Sequence, residues 1–256
     1  MIHPQAIIDP KAELADDVEV GPWTYIGPDV KIDSGTRIHS HVVIKGPCTI
    51  GKDNQIFQFA SVGEECQDKK YRGEPTQLII GDRNVIRESC TLHRGTIQDE
   101  GITSVGSDNL LMAYVHVAHD CRIGNNTILA NSVGLAGHVK VGDWAILGGM
   151  AGVHQFCKIG MHAMIGGGSV VLKDVPAYVI ANGSPIVPHG INTEGLKRRG
   201  YDAEALLVLR RAYKIIFRQG KTLEQALGEL ETMAVDTPAL DALIDSLKTA
   251  DRGIIR

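Results

Sequence analysis

Aromatic residues are scarce, at 5 % of the 256 positions, and neither sign of charge is in large excess. Lys and Arg total 26 against 30 Asp and Glu, a net charge of −4. That balance argues against a general nucleic-acid binder, which carries a basic surplus. No apolar run reaches the ~18 residues of a membrane-spanning helix. The N-terminus, MIHPQAIIDP, lacks a basic stretch and a long apolar stretch, so it does not read as an export signal. Five cysteines, odd in number and widely spaced, offer no disulfide framework and predict a reduced, cytoplasmic chain. Glycine, by contrast, is plentiful at 29 residues, above the usual ~7 %. This composition points to internal repeats.

Steps of six from Ile2 land on Ile, Leu or Val at 26 positions: from Ile2 to Val62, from Ile80 to Leu92, and from Val105 to Val171. Glycine follows the aliphatic eleven times, as at Gly21, Gly106 and Gly142. The fourth residue after it is mostly small, as at Ala60, Thr127 and Ala163. Six residues suit a short strand and a corner in which large and small inward residues alternate. Three units make a triangular coil of about 18 residues, and successive coils hydrogen-bond about 4.8 Å apart. Nearly nine coils give a rod roughly 42 Å long. Cys48, Cys90, Cys121 and Cys157 fill the small inward slot, which reads as packing rather than as nucleophile or metal ligand.

The period breaks at residues 64–79 and 94–104, where insertions become surface loops; a merely tolerated decoration is an open reading of the second. It ends at Pro176. Residues 177–192, with two Pro and two Gly, predict an irregular connection, and 193–256 a small α-helical domain. Within it, 202–220 places Leu206, Leu209, Ala212, Tyr213 and Ile216 on one face. Thr222 and Gln225 have the spacing of a capping box for a helix over 221–235. Thr237-Pro238 starts another over 237–251.

The chemistry-bearing residues gather late in the repeat. His116, His119, His138 and His154 avoid the inward slots and should point outward. An 18-residue coil stacks Gly137 on His119 and His138 on Asp120. A histidine with a neighbouring carboxylate is a general-base candidate, and a glycine N–H is an oxyanion donor candidate. Surface histidines without a role are at least as good a reading of the spacing alone. Rod-shaped carbonic anhydrases of similar architecture hold zinc with histidines five apart. Here His116 and His119 are three apart, which argues against a metal. A convex rod has no pocket of its own, so the opposite wall of a site should come from another subunit. Residues 195–221 carry a net charge of +6, which suits an acidic partner or a phosphate-bearing ligand; a solvated helix face is the alternative.

The six-residue period resembles that of hexapeptide-repeat proteins, which implies a left-handed parallel β-helix over about residues 1–176 followed by the helical domain. The strings GEECQDKKYRGEPT (63–76), HVAHDC (116–121), LAGHV (135–139), VHQFCKIG (153–160), NTEGLKRRG (192–200) and RAYKIIFRQGKTL (211–223) are narrower. They resemble the UDP-N-acetylglucosamine O-acyltransferases of lipid A synthesis, with a match that runs to the C-terminal RGIIR. The resemblance implies transfer of a 3-hydroxyacyl chain, 3-hydroxymyristoyl by expectation, from acyl carrier protein to the 3-hydroxyl of UDP-N-acetylglucosamine. It implies a homotrimer and no cofactor beyond the carrier's phosphopantetheine. It casts His119 as general base, Asp120 as its orienting partner and Gly137 as oxyanion donor. Gln67, Asp68, Lys70, His116, His138, His154 and Gln155 would line the substrate. Asn192, Glu194 and Arg198 would reach the nucleotide or carrier side, and Arg198 with Arg199 would meet the carrier. Gly167 resembles the position that limits acyl length. It lies 48 residues from His119, or about 13 Å along the rod at ~4.8 Å per coil. Two other enzymes on such a rod remain alternatives: an N-acyltransferase, expected to carry an extra N-terminal domain, and an acetyl-CoA-dependent acetyltransferase. A non-catalytic solenoid would show a regular ladder of one outward residue type, which this sequence lacks.

Overall fold

The computed structural model describes residues 1–234 and 237–256. Its first part is a left-handed parallel β-helix with three walls. The first wall has nine strands, among them Thr91–His93, His116–Val117, Gly134–Leu135, Gly152–Val153 and Val170–Val171. The second has eight, including Ile102–Val105, Arg122–Ile123, Lys140–Val141 and Lys158–Ile159. The third has ten, including Leu110–Leu111, Ile128–Leu129, Ile146–Leu147 and Met164–Ile165. The chain visits the walls in that order. Uninterrupted coils stack at a spacing of 18, as in His116 on Gly134 on Gly152.

Two-residue strands present one residue outward and one inward. The inward aliphatics at the six-residue period form one continuous core, from Val20 to Val171. The four cysteines of the small slot are buried in it, and burial pushes the Cys48 and Cys121 thiols up to about 12 and those of Cys90 and Cys157 up to about 11. They are packing residues and poor nucleophiles.

The glycines after the aliphatics serve close approach. A Cβ at Gly142 would lie 2.6 Å from the Met161 nitrogen on the next coil. The left-handed backbone that turns each corner falls two residues later, at positions such as Tyr114, Asp120, His138 and Phe156 (φ 59° to 66°). Few of these are glycine, so the tertiary ladder overrides their intrinsic cost.

Several boundaries differ from the sequence expectation. Strands Ser61–Glu64, Gln77–Ile80 and Ile102–Val105 enter both insertions and narrow the loops to 65–76 and 94–101. Residues 177–192 are not irregular: Val179–Gly183 and Ile186–Ile191 form an antiparallel hairpin that extends the third wall. Pro188 is tolerated because Ile186–Ile191 is the edge strand, where a missing N–H costs no ladder bond.

The helical part comprises α1 (Thr193–Arg198), α2 (Ala203–Phe217), α3 (Leu223–Ala234) and α4 (Asp241–Lys248). The face expected for α2 is buried. The capping box forms reciprocally: Thr222 N–H donates to Gln225 Oε1 at 3.0 Å, and Gln225 N–H to Thr222 Oγ1 at 3.2 Å. Val235, the expected last residue of that helix, lies outside the described residues. Thr237 makes no side-chain cap; Pro238–Leu240 is a 3-10 turn and α4 begins only at Asp241. Leu206, Leu209, Leu230 and Leu243 belong to a second apolar cluster, which also takes in Tyr178.

Candidate active site

Both insertions leave the coil at the corner between first and second walls, the same corner that carries His119 and Asp120 higher up. Asp120 is 1 % exposed, and the insertions explain how a carboxylate survives there. Its Oδ1 accepts from the Thr96 N–H at 2.8 Å and its Oδ2 from the Thr96 hydroxyl at 2.6 Å. Its own N–H donates to Thr103 Oγ1 at 2.7 Å. Burial alone would raise the Asp120 carboxyl, but hydrogen bonds from His119 and Thr96 outweigh it and hold the group below the usual carboxylate range. The 94–101 loop is therefore no decoration.

The ionised Asp120 holds His119: Nδ1 lies 2.8 Å from Oδ2. This bond places the proton on Nδ1 of the neutral ring and leaves Nε2 as a base. The ring lies close against Gly137, where a Cβ would come within 2.5 Å of His119 Cε1 and 2.6 Å of Nε2. Among the described residues, the Gly137 N–H has no acceptor. Stacking thus brings His119, Asp120 and Gly137 together as the 18-residue spacing predicts.

His138 sits edge-on to His119, with ring centroids 5.1 Å apart, and stacks on Phe156 at 4.3 Å. Its Nδ1 is 3.2 Å from Asp99 Oδ2, and Arg122 holds Glu100 at 2.8 Å beside it. His116 Nδ1 meets Thr91 Oγ1 at 2.7 Å. Burial, then the neighbouring His93 and His119, lower its pKa and favour the neutral ring. A cavity of about 280 Å³ opens over this surface, lined by Gln67, Asp68, His93, His116, His119 and Gly137 among others. His154 and Gln155 are exposed one coil above, and Lys70 is exposed on the loop.

His119, Asp120 and His138 also bring ligand atoms within 4.8 Å of one another, a trio that the three-residue spacing of His116 and His119 does not reveal but the stacking of His138 on Asp120 does. The Asp120 oxygens already accept three hydrogen bonds, from the Thr96 N–H, the Thr96 hydroxyl and the His119 ring.

Other expected site residues lie elsewhere in the same chain. Asn192 is 4 % exposed and caps α1: its Oδ1 accepts from Gly195 N–H at 3.1 Å and its Nδ2 donates to the His162 carbonyl at 3.0 Å. Glu194 pairs with Lys197 at 3.0 Å. Arg198 is exposed, but Arg199 folds back over Trp144, 4.7 Å from the ring centroid, and donates to the Gly195 carbonyl. Arg199 is thus tied to its own fold rather than extended toward a partner. This group occupies the corner between second and third walls. Gly167 is exposed at the third corner, between third and first walls. The separation of Gly167 from His119 therefore has a component across the first wall besides the axial one, and the axial distance alone understates it.

His93, Thr96, Asp99, Thr103 and Phe156 were not singled out by sequence reasoning. Phe156 carried a signal, since it is 18 residues beyond His138. The others sit in or beside the insertions, where the period that reveals neighbours is lost.

A family model of the bacterial transferase hexapeptide, six repeats long, matches residues 11–46 and 102–137. A second family model, domain 2 of UDP-N-acetylglucosamine O-acyltransferase, matches residues 174–255. The chain is 59 % identical over 255 residues to the acyl-[acyl-carrier-protein]–UDP-N-acetylglucosamine O-acyltransferase of Saccharophagus degradans, covering 100 % of this chain and 99 % of that protein. Among solved structures it resembles LpxA from Acinetobacter baumannii (54 % identity, TM-score 0.98, 100 % of this chain and 99 % of that one). It also resembles the UDP-N-acetylglucosamine acyltransferase of Arabidopsis (37 % identity, TM-score 0.87, 100 % of both chains). The chain belongs to the acyl-[acyl-carrier-protein]–UDP-N-acetylglucosamine O-acyltransferase family.

Proposed function

We infer that this acyltransferase moves a 3-hydroxyacyl chain from acyl carrier protein to the 3-hydroxyl of UDP-N-acetylglucosamine, the first step of lipid A biosynthesis, with His119 as general base. The observation that carries the mechanism is the His119 ring, held at Nδ1 by buried Asp120 and laid against Gly137, with Nε2 unpaired among the described residues. In this reading Nε2 takes the proton of the sugar hydroxyl as its oxygen attacks the thioester carbonyl. The tetrahedral oxyanion meets the Gly137 N–H. Collapse breaks the carbon–sulfur bond, and the pantetheine thiolate takes the proton back from His119. A thioester is already activated, so no covalent nucleophile is required. One positioned base contributes about 10²–10⁴-fold and one oxyanion donor about 10²–10³-fold.

Two features support a trimer with shared sites. The upper third wall turns an apolar column outward: Val85, Leu110, Ile128, Ile146 and Met164. The adjoining corner exposes Trp23, Phe59, Tyr114 and Met150. Such a patch on a monomer marks an interface. Around a three-fold axis along that corner, each third wall would face a neighbour's first wall. Asn192, Glu194 and Arg198 would then approach the neighbour's His119, completing a site that one chain leaves divided. An acyl chain would run inward from His119 toward Gly167, past Gly134 and Gly152, where nothing lies within 4 Å of an added Cβ. The segment from Thr193 would act as a second domain that docks the acidic carrier. It has a cleft of about 540 Å³ lined by Arg210, Arg211, Lys214 and Arg218 among others.

The test is mass spectrometry of UDP-N-acetylglucosamine incubated with a panel of 3-hydroxyacyl carrier proteins. The expected product carries a 3-hydroxymyristoyl ester, Gly167→Met shifts preference to shorter chains, and His119→Ala gives no product while remaining oligomeric. Retained activity in His119→Ala would overturn the base assignment.

A further inference from the structure

His93 is 4 % exposed, ends the strand Thr91–His93 and faces two groups of the first insertion. Its Nδ1 lies 2.6 Å from the Glu65 carbonyl oxygen, and its Nε2 lies 3.2 Å from the Gln67 amide nitrogen. A carbonyl only accepts, so Nδ1 carries the proton and Nε2 of the neutral ring is a lone pair. A lone pair calls for a donor, which turns the Gln67 NH₂ group toward His93 and its Oε1 away. Gln67 and His93 line the same cavity as His116 and His119. The His116 ring, 5.3 Å from that of His93 and steeply inclined to it, closes the side of His93 that faces the base.

We propose that His93 is a positioning residue for the acceptor sugar: it fixes the Gln67 amide so that its carbonyl oxygen faces the cavity. That face of the site then selects a hydrogen-bond donor on the sugar, a ring hydroxyl or the acetamido N–H. The proposal rests on UDP-N-acetylglucosamine as acceptor. It assigns to His93 an effect on sugar binding that a loop anchor at Glu65 would not have.

His93→Asn separates the two roles, because an asparagine amide reaches the Nδ1 position to donate to Glu65 and stops short of Gln67. The expected result is a KM for UDP-N-acetylglucosamine raised about 3- to 10-fold, the range one neutral hydrogen bond spans, with kcat within about two-fold. Gln67→Ala should match it, and the double variant should add nothing further. An unchanged KM in His93→Asn, or additive effects of the two substitutions, would overturn the proposal. Should His93→Asn fail to fold, side-chain ¹⁵N NMR of the native chain decides. A Nδ1–H tautomer whose Nε2 signal moves in Gln67→Ala is expected, and an Nε2–H tautomer contradicts the assignment. Calorimetry of UDP-N-acetylglucosamine binding to the same variants needs no turnover. A native chain that binds the nucleotide sugar without acylating it would defeat the transfer reading, while the relative affinity of His93→Asn would still decide this one.

Discussion

A methyl group at position 137 would sit 2.5 Å from His119 Cε1, closer than two carbons can lie, so one of them must move. Gly137→Ala is expected to push the ring out of line with Asp120 and to lower kcat by roughly 10²–10⁴-fold, the contribution of a positioned base. Circular dichroism and Tm should stay near the native values, because the ring would move into an open cavity. A native kcat in that variant would show that the ring tolerates displacement. The pairing of 119 with 137, and of 120 with 138, was legible in the sequence because regular coils turn neighbourhood into addition. What lies beneath Asp120 was not. Counting back eighteen lands at 102, inside the second insertion, and an insertion has no period to count with. Thr96 therefore reaches the carboxylate from a place that repeat arithmetic does not reach.

At the scale of elements, the 94–101 loop acts as a clamp, and its grip can be tested through one hydroxyl. Thr96→Val keeps the backbone donor to Asp120 and removes the 2.6 Å bond from the side chain. A hydrogen bond to a charged group is worth about 1.5–3 kcal/mol, so kcat should fall about ten-fold or more. Steady-state assays beside a thermal melt would check this. A native rate would mean that the backbone donor alone holds Asp120. The rod was readable from the six-residue period and α2 and α3 from amphipathic spacing and capping signals. The hairpin over Val179–Gly183 and Ile186–Ile191 was not. Its two prolines and two glycines mimic a loop, and only its place at the edge of the third wall lets the strand Ile186–Ile191 keep Pro188.

At the scale of the whole molecule, the three outward faces carry different work. The second wall turns Arg122, Lys140 and Lys158 outward, the third its apolar column, and the first its histidine and its glycines. If His119 of one protomer works with Arg198 of the next, two inactive variants should rescue each other. His119→Ala mixed with Arg198→Glu, unfolded and reassembled in equal amounts, should recover activity in about a quarter of the sites, since cyclic symmetry pairs unlike faces at each interface. Arg198 is exposed, so its reversal should leave the fold intact. Activity measured before and after mixing decides the matter; no recovery would place both residues in one protomer's site or in none.

The six-residue unit has a further consequence. One unit is a third of a revolution, so losing a single hexapeptide between Val141 and Val153 would leave every inward slot filled and every corner turned. Everything above the excision would, however, be rotated by one face relative to everything below it. His154 and Gln155 would leave the corner of His119, and the greasy column would be broken partway up the interface. Losing three units would shorten the rod by one coil and keep each face in line. For this chain the coherent step of insertion or deletion is the revolution, not the repeat.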